Sequence, residues 1–250
     1  MNPLQRHARQ QAAQLRAMPA HTGHNISTAA LVDLVQASAE VDTGLPTMPA
    51  PNTPLSELQA DIAICVGGGN DPLAEYAEAA ALCAASGKTV ANFVCNDTLT
   101  IFPHQIHHGV TLHPDKWVGW RTLRDRSGFK MPDRLWAHRP YQGFSDHTKD
   151  WQGSSGLFMV KIARELGYTH IILAGIPMNI EGGHFAREQA WNAAPGFRRG
   201  WARVQGILRP FVRSLSGWTE AHFGKPDHIW ITSEVPDPFP MRVDHSGVKA

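Results

Sequence analysis

Cysteine is scarce: Cys65, Cys83 and Cys95 are the whole complement in 250 residues, each inside an apolar run and none in a C-x-x-C pair. That excludes a disulfide framework and a zinc knuckle, and the expectation is three buried small hydrophobes. An excess of one charge is also missing. Lys and Arg number 23 against 22 for Asp and Glu, a formal net charge of +1 with the 14 His neutral. Binding of nucleic acid through bulk positive charge is therefore excluded. No window approaches the roughly 18 to 20 consecutive apolar residues of a membrane-spanning helix. Residues 1–20 are rich in Arg and Gln and lack the apolar centre of a secretory signal, so a cytoplasmic location is expected. With 42% hydrophobic and 18% charged residues the composition is that of a folded chain, and the length fits one domain plus an appendage.

The appendage is at the start. Residues 3–17 favour a helix with a thin apolar face, His21-Thr22-Gly23-His24 breaks it, and Ser27 can cap a second helix to about residue 40 with the stripe Leu31, Leu34, Val35. Pro46, Pro49, Pro51 and Pro54 then mark an extended linker. The division is residues 1–57 as a helical arm with a Pro-rich linker, and 58–250 as a nucleotide-binding domain. The arm suits docking on a partner, including a second copy of the chain.

From residue 61 onward, short apolar runs alternate with amphipathic segments, the pattern of a parallel sheet with crossover helices. The pattern predicts strands at 62–66, 89–94, 170–175 and 228–232, with weaker ones at 109–112 and 134–137. Helices are predicted at 73–85, closed by Gly87, at 155–166, stopped by Gly167, and at 200–215, interrupted near Pro210. The expected fold class is α/β: a Rossmann-like, doubly wound, mostly parallel sheet of about five strands with the N-terminal helical arm.

Ligands of open α/β sheets collect beyond the carboxyl ends of the strands, so residues just after each strand are the site candidates. The first group is Gly67, Gly68, Gly69 and Asn70. Its glycines allow close backbone approach to a ligand or simply a tight turn, and it fits neither G-x-G-x-x-G nor a P-loop. After the second strand, Asn96 and Asp97 can hydrogen-bond a ribose or base edge, which also admits a dinucleotide. Gly153, Ser154, Ser155 and Gly156 open a helix and can offer backbone N–H groups and hydroxyls to a phosphate, or act as an ordinary N-cap. His113, His138 and His184 follow strands, where a histidine can serve as general base or be merely structural. Arg198, Arg199 and Arg203 suit phosphate clamping or a solvated face. His104, His107 and His108 cluster without a recognised metal spacing, so no metal site is expected. Trp117, Trp120, Trp136 and Trp151 can line an acceptor pocket or pack the core.

The stretch Gly153-Ser154-Ser155-Gly156-Leu157-Phe158-Met159, then Ala163-Arg164-Glu165-Leu166-Gly167-Tyr168, then Ile171-Ile172-Leu173-Ala174-Gly175-Ile176 resembles a family signature. That signature, Ser-Gly-x-x-helix-Leu-Gly-Tyr-strand-Gly-Ile, belongs to the bacterial CMP-sialic-acid-dependent sialyltransferases. The same superfamily resemblance takes in the motility accessory factors and the archaeal 6-hydroxymethyl-dihydropterin pyrophosphokinase. It spans residues 61–233, and its specific part is 154–176. It implies that the loop from Gly67 to Asn70 holds a nucleotide, that Asn96 contacts it, and that His113-Pro114 stands where the family has Asn-Pro. The chain departs from the pattern in two places. Asn179 and His184 occupy the neighbourhood of the family's phosphate-steadying tyrosines, and Phe197-Arg198-Arg199-Gly200-Trp201 that of its catalytic histidine.

The leading expectation is a nucleotide-dependent, glycosyltransferase-like enzyme with a nucleotide or nucleotide-sugar donor, no tightly bound cofactor, no metal and an unspecified acceptor. In it His184 or His113 is the general base, and Arg198 or Arg199 steadies the leaving phosphate. Two rivals share the fold. One is ATP-dependent phosphoryl or pyrophosphoryl transfer with Mg²⁺ on Asp71 and Asp97; the other is a non-catalytic binding or assembly module.

Overall fold

The computed structural model describes residues 60–181, 183–186 and 191–235; the arm and linker assigned to 1–57 lie outside the described residues. The elements in order are β1 (Ile62–Val66), α1 (Pro72–Ala85), β2 (Val90–Cys95), β3 (His108–Thr111), α2 (Trp117–Arg126), β4 (Arg134–Ala137) and β5 (Asp146–His147), followed by α3 (Ser155–Glu165), β6 (Ile171–Ala174), α4 (Ala194–Leu208), β7 (Val212–Ser214), α5 (Gly217–Phe223) and α6 (His228–Thr232). Short 3-10 turns over Asn96–Thr100 and Pro114–Lys116 follow β2 and β3.

The seven strands form one sheet in the order β5-β4-β3-β2-β1-β6-β7, with every pairing parallel. The chain steps outward from β1 to β5, then returns through α3 to lay β6 on the other side of β1. The loops leaving β1 and β6 therefore part in opposite directions, which opens a crevice at their carboxyl ends.

Both faces of the sheet are covered, and this is why β1 reads as an unbroken apolar run. Ile62, Ile64 and Val66 face a core with Tyr76, Ala79 and Cys83 of α1 and with Trp117 and Trp120 of α2. Ala63, Cys65 and Phe93 face the opposite core with Leu157 and Phe158 of α3 and Trp201 of α4. All three cysteines are buried and unpaired. Helix α1 starts at Asp71, whose carboxylate accepts from the Ala74 N–H (3.2 Å), and Pro72 occupies its first turn.

Two predicted elements are corrected. Residues 228–232 form a helix, not a strand: Asp227 caps it by accepting from the Trp230 N–H (2.7 Å), and Trp230 anchors it by an indole N–H to the Pro210 carbonyl (3.2 Å). Five residues are too few for periodicity to separate strand from buried helix. The last strand is β7, inside the span predicted as helix 200–215, and the helix itself is Ala194–Leu208. Strand β7 and the edge strand β5, neither of them predicted, bring the sheet to seven strands, and helix α2 likewise lies outside the prediction. Helix α2 buries Trp117, Trp120 and Arg124. Arg124 takes a core position because its guanidinium donates from Nε and Nη1 to the carbonyls of Leu99, Phe102 and Lys130 (2.7–2.8 Å). This partners two of its three nitrogens without a carboxylate, Nη2 being buried without a hydrogen bond among the described residues.

Candidate functional site

A cavity of about 430 Å³ opens beyond the carboxyl ends of β1, β2, β3 and β6, within the usual volume range of small-ligand sites. Of the predicted site residues, it brings together Gly67, Gly68, Gly69, Asn96, Asp97, His113, Ser154, Ser155, Gly156 and His184. Asn70, Gly153, Arg198 and Arg199 do not line it. Asn70 is exposed and Arg199 lies toward the surface of α4. Arg198 donates from Nε to the Met178 carbonyl (2.8 Å) and so holds the loop behind the cavity wall. Trp117 and Trp136 belong to the cores, whereas Trp120 reaches the cavity.

The glycines after β1 are required by close approach. A Cβ on Gly67 would lie 2.6 Å from Ile176 Cγ1, and one on Gly68 would lie 2.2 Å from His184 Nε2. The loop is packed against the loop leaving β6 and against the His184 segment. Its donors are largely committed: Gly67 N–H goes to the Ala174 carbonyl (2.8 Å) and Gly69 N–H to the Gly175 carbonyl (2.7 Å). The Gly68 and Gly69 carbonyls accept from Phe185 N–H (3.2 and 3.1 Å). This loop forms a floor more than a phosphate cradle.

The N-termini of α1 and α3 both stand at this end of the sheet, and their chemistry differs. At α1, the Asp71 carboxylate caps the helix and Glu75 in the first turn accepts from the Gly175 N–H (2.7 Å). Two carboxylates already complement its positive end. At α3 the cap is neutral: Ser154 Oγ accepts from Leu157 N–H (3.3 Å) and from the Trp201 indole (3.2 Å). The first turn of α3 holds no acidic residue. Its opening N–H groups, at Ser155 and Gly156, have no intrahelical acceptor, and both residues line the cavity. Of the two helix ends, this is the one that no carboxylate neutralises.

The cavity also carries titratable groups. Asp97 Oδ1 accepts from the Trp120 indole (2.8 Å), and Asp97 Oδ2 lies 3.7 Å from His184 Nε2. His184 Nδ1 accepts from the Ala186 N–H (3.2 Å), which makes neutral His184 the Nε2–H tautomer and turns that N–H toward Asp97. Asn96 and Met178, both lining the cavity, hold left-handed backbone with φ of 54° and 52°, and strain of this kind concentrates at functional sites.

His113 stands at the rim. Partial desolvation, then the Lys116 ammonium, lower its pKa below the ordinary 6.5, against the opposing pull of Asp115 and Asp97. It is therefore neutral and able to accept a proton at pH 7. Titration of the His113 ring by NMR is expected to show a midpoint below 6.5, moving upward in Lys116→Ala; an unshifted midpoint in that variant removes Lys116 as a cause.

Lys116, Trp191 and Phe197 also line the cavity, although none is a candidate on sequence grounds. Lys116 follows β3 closely and was within reach of the strand-end rule. Trp191 and Phe197 stack on each other with ring centroids 5.3 Å apart, a pairing that the long connection after β6 hides. Among the described residues no group of three or more His, Cys, Asp or Glu could hold a metal ion, and no helix is long and apolar enough to cross a membrane.

No protein-family model matches the chain, and no curated protein matches it significantly. Among solved structures it is similar to the sialyltransferase CstII from Campylobacter jejuni in complex with a substrate analogue, CMP-3FNeuAc. Sequence identity is 12% and the TM-score 0.45, over 74% of this chain and 94% of that chain. The monofunctional alpha-2,3-sialyltransferase Cst-I from the same organism is 13% identical with a TM-score of 0.42, over 69% of this chain and 82% of its own. The similarity is one of chain architecture.

Proposed function

We propose that the protein is a nucleotide-dependent transferase of the glycosyltransferase-like kind, with a nucleotide or nucleotide sugar as donor. One observation carries the reading: the carboxylate-free N-terminus of α3 opens into the switch-point cavity, while the neighbouring N-terminus of α1 is already neutralised. A donor phosphate accepts from Ser155 and Gly156 N–H, with the Lys116 ammonium as the nearby cation. The stacked Trp191 and Phe197 supply a flat apolar wall for a base or sugar.

Of the two histidines, His113 is the better general base. Its lowered pKa keeps it neutral, whereas His184 already receives the Ala186 N–H on Nδ1 and presents Nε2–H. His113 takes the proton of an acceptor hydroxyl as that oxygen bonds to the anomeric carbon of the donor sugar, and the bond from that carbon to the donor phosphate oxygen breaks with its electron pair on the leaving phosphate. His184 serves as a donor beside Asp97. Arg198 supports the loop of Met178 instead of meeting the phosphate.

A thermal-shift screen against CMP, CDP, UDP, GDP, ATP, NAD and CMP-sialic acid, with and without Mg²⁺, tests this. A ligand at 100 times its Kd stabilises by about 2.7 kcal/mol, which raises Tm by roughly 5 to 10 °C in a domain of this size. At least one nucleotide is expected to do so without Mg²⁺. No shift from any of them overturns the reading, and a shift from ATP with Mg²⁺ alone replaces it with phosphoryl transfer.

A further inference from the structure

Thr111 ends β3 and is 1% exposed. Its hydroxyl makes two hydrogen bonds. It accepts from the His113 backbone N–H (2.8 Å) and donates to Asn96 Oδ1 (2.9 Å). The direction of the second bond follows from counting protons. The His113 N–H can only donate, so it takes a lone pair of the hydroxyl, and the one hydroxyl proton still needs an acceptor. Among the described residues Asn96 Oδ1 is the acceptor it reaches. A flipped amide would set Nδ2–H against the hydroxyl and leave the buried Thr111 proton unpaired, the costly alternative.

The amide of Asn96 is thereby held with its oxygen on Thr111, and its two Nδ2 hydrogens are what it offers to the cavity that it lines. The backbone agrees with this choice of residue, since φ of 54° is a conformation that Asn and Asp adopt more readily than other non-glycine residues. Asp would keep the bond to Thr111 and the backbone, yet present an acceptor where Asn presents a donor.

We propose that Thr111 is a positioning residue that fixes Asn96 as a hydrogen-bond donor to an acceptor oxygen or nitrogen of the bound nucleotide. The inference rests on the nucleotide reading and adds the polarity of one contact, so a ligand with a donor at that position is rejected.

The test uses the full chain as wild type and three variants: Asn96→Asp, Thr111→Val, which keeps the shape without the hydroxyl, and Thr111→Ser, which restores it. Calorimetric titration with CMP, UMP, AMP and GMP gives affinities, and melting curves establish that each variant is folded. Affinity is expected to fall about tenfold or more in Asn96→Asp and several-fold in Thr111→Val, and to return in Thr111→Ser. Equal or tighter binding by Asn96→Asp, or unchanged binding by Thr111→Val, overturns the proposal. A second measurement needs no ligand. In the free protein, the strong NOE from the Asn96 Nδ2 protons to the Thr111 side chain that a flipped amide would give is expected to be absent, and its presence overturns the proposal. Wild-type protein that binds none of the four nucleotides sinks the nucleotide reading itself, and the NOE then decides the orientation of the amide alone.

Discussion

Gly175→Ala is expected to destabilise the protein by about 2 to 5 kcal/mol, a large part of the roughly 5 to 15 kcal/mol that holds a domain together. Gly175 follows β6 with φ of +64°, and a Cβ there would lie 2.7 Å from the Gly67 carbonyl oxygen and 2.7 Å from Pro72 Cβ. The left-handed backbone costs an alanine about 1 to 2 kcal/mol. The overlap with the neighbouring loop, where one of the two partners is backbone, adds about 1 to 3 kcal/mol. Relief would require moving the β1 loop that floors the cavity or breaking the bond from Gly175 N–H to Glu75. Gly87 is the control, because its φ is +67° and nothing lies within 4 Å of where its Cβ would stand; Gly87→Ala should lose only the backbone part, about 1 to 2 kcal/mol. Chemical denaturation of the two variants separates the terms. Equal losses at both positions would show that the packing of the β1 and β6 loops contributes nothing.

Ser155→Asp is expected to weaken nucleotide binding strongly while leaving the protein folded. An aspartate in the first turn of α3 suits the helix, by about 0.3 to 1 kcal/mol. The same carboxylate stands where the donor phosphate would lie. Two unit charges about 4 Å apart repel by about 4 kcal/mol at an effective dielectric of about 20. With discount for solvent in the open cavity, a loss of about 2 to 4 kcal/mol remains, or roughly 30- to 1000-fold in affinity. Calorimetric titration against whichever nucleotide raises Tm in wild type measures it. Undiminished binding in a folded Ser155→Asp protein would mean that the helix end is an ordinary cap and that the anion lies elsewhere. Because Ser155 is buried, a melting curve of the variant separates a folding defect from the loss of binding.

The parts of the fold that could be read from the chain are those whose local and tertiary preferences agree. Strands β1, β2, β4 and β6 are apolar runs bounded by turn residues, α1 and α3 end before the glycines expected to stop them, and α3 opens at the expected serine cap. Elements that contradict their own composition were not legible. Helix α2 carries an arginine at a core position, which makes sense only once the carbonyls of Leu99, Phe102 and Lys130 are in place to receive it. Strand β5 is two residues long and is held by Arg134, whose guanidinium takes both oxygens of Asp146 (2.9 and 2.6 Å).

The site divides in the same way. That Asn96, His113, Ser155 and His184 would face one cavity follows from the sequence by itself, because parallel strands with crossover helices place every strand-end loop on the same edge of the sheet. Which loop does what was decided only in three dimensions. The Gly67 to Gly69 run reads as a loop for close ligand approach or a tight turn until Gly175 and His184 are seen to press on it and Ala174, Gly175 and Phe185 to take up its hydrogen bonds. The two helix N-termini look alike until Glu75 is found on the N–H of Gly175, a bond across 100 residues. The physical reason is range: burial pattern, caps and turns are set by neighbours a few positions away, whereas hydrogen-bond polarity and charge at a site are set by whichever distant groups the fold brings within about 3 Å.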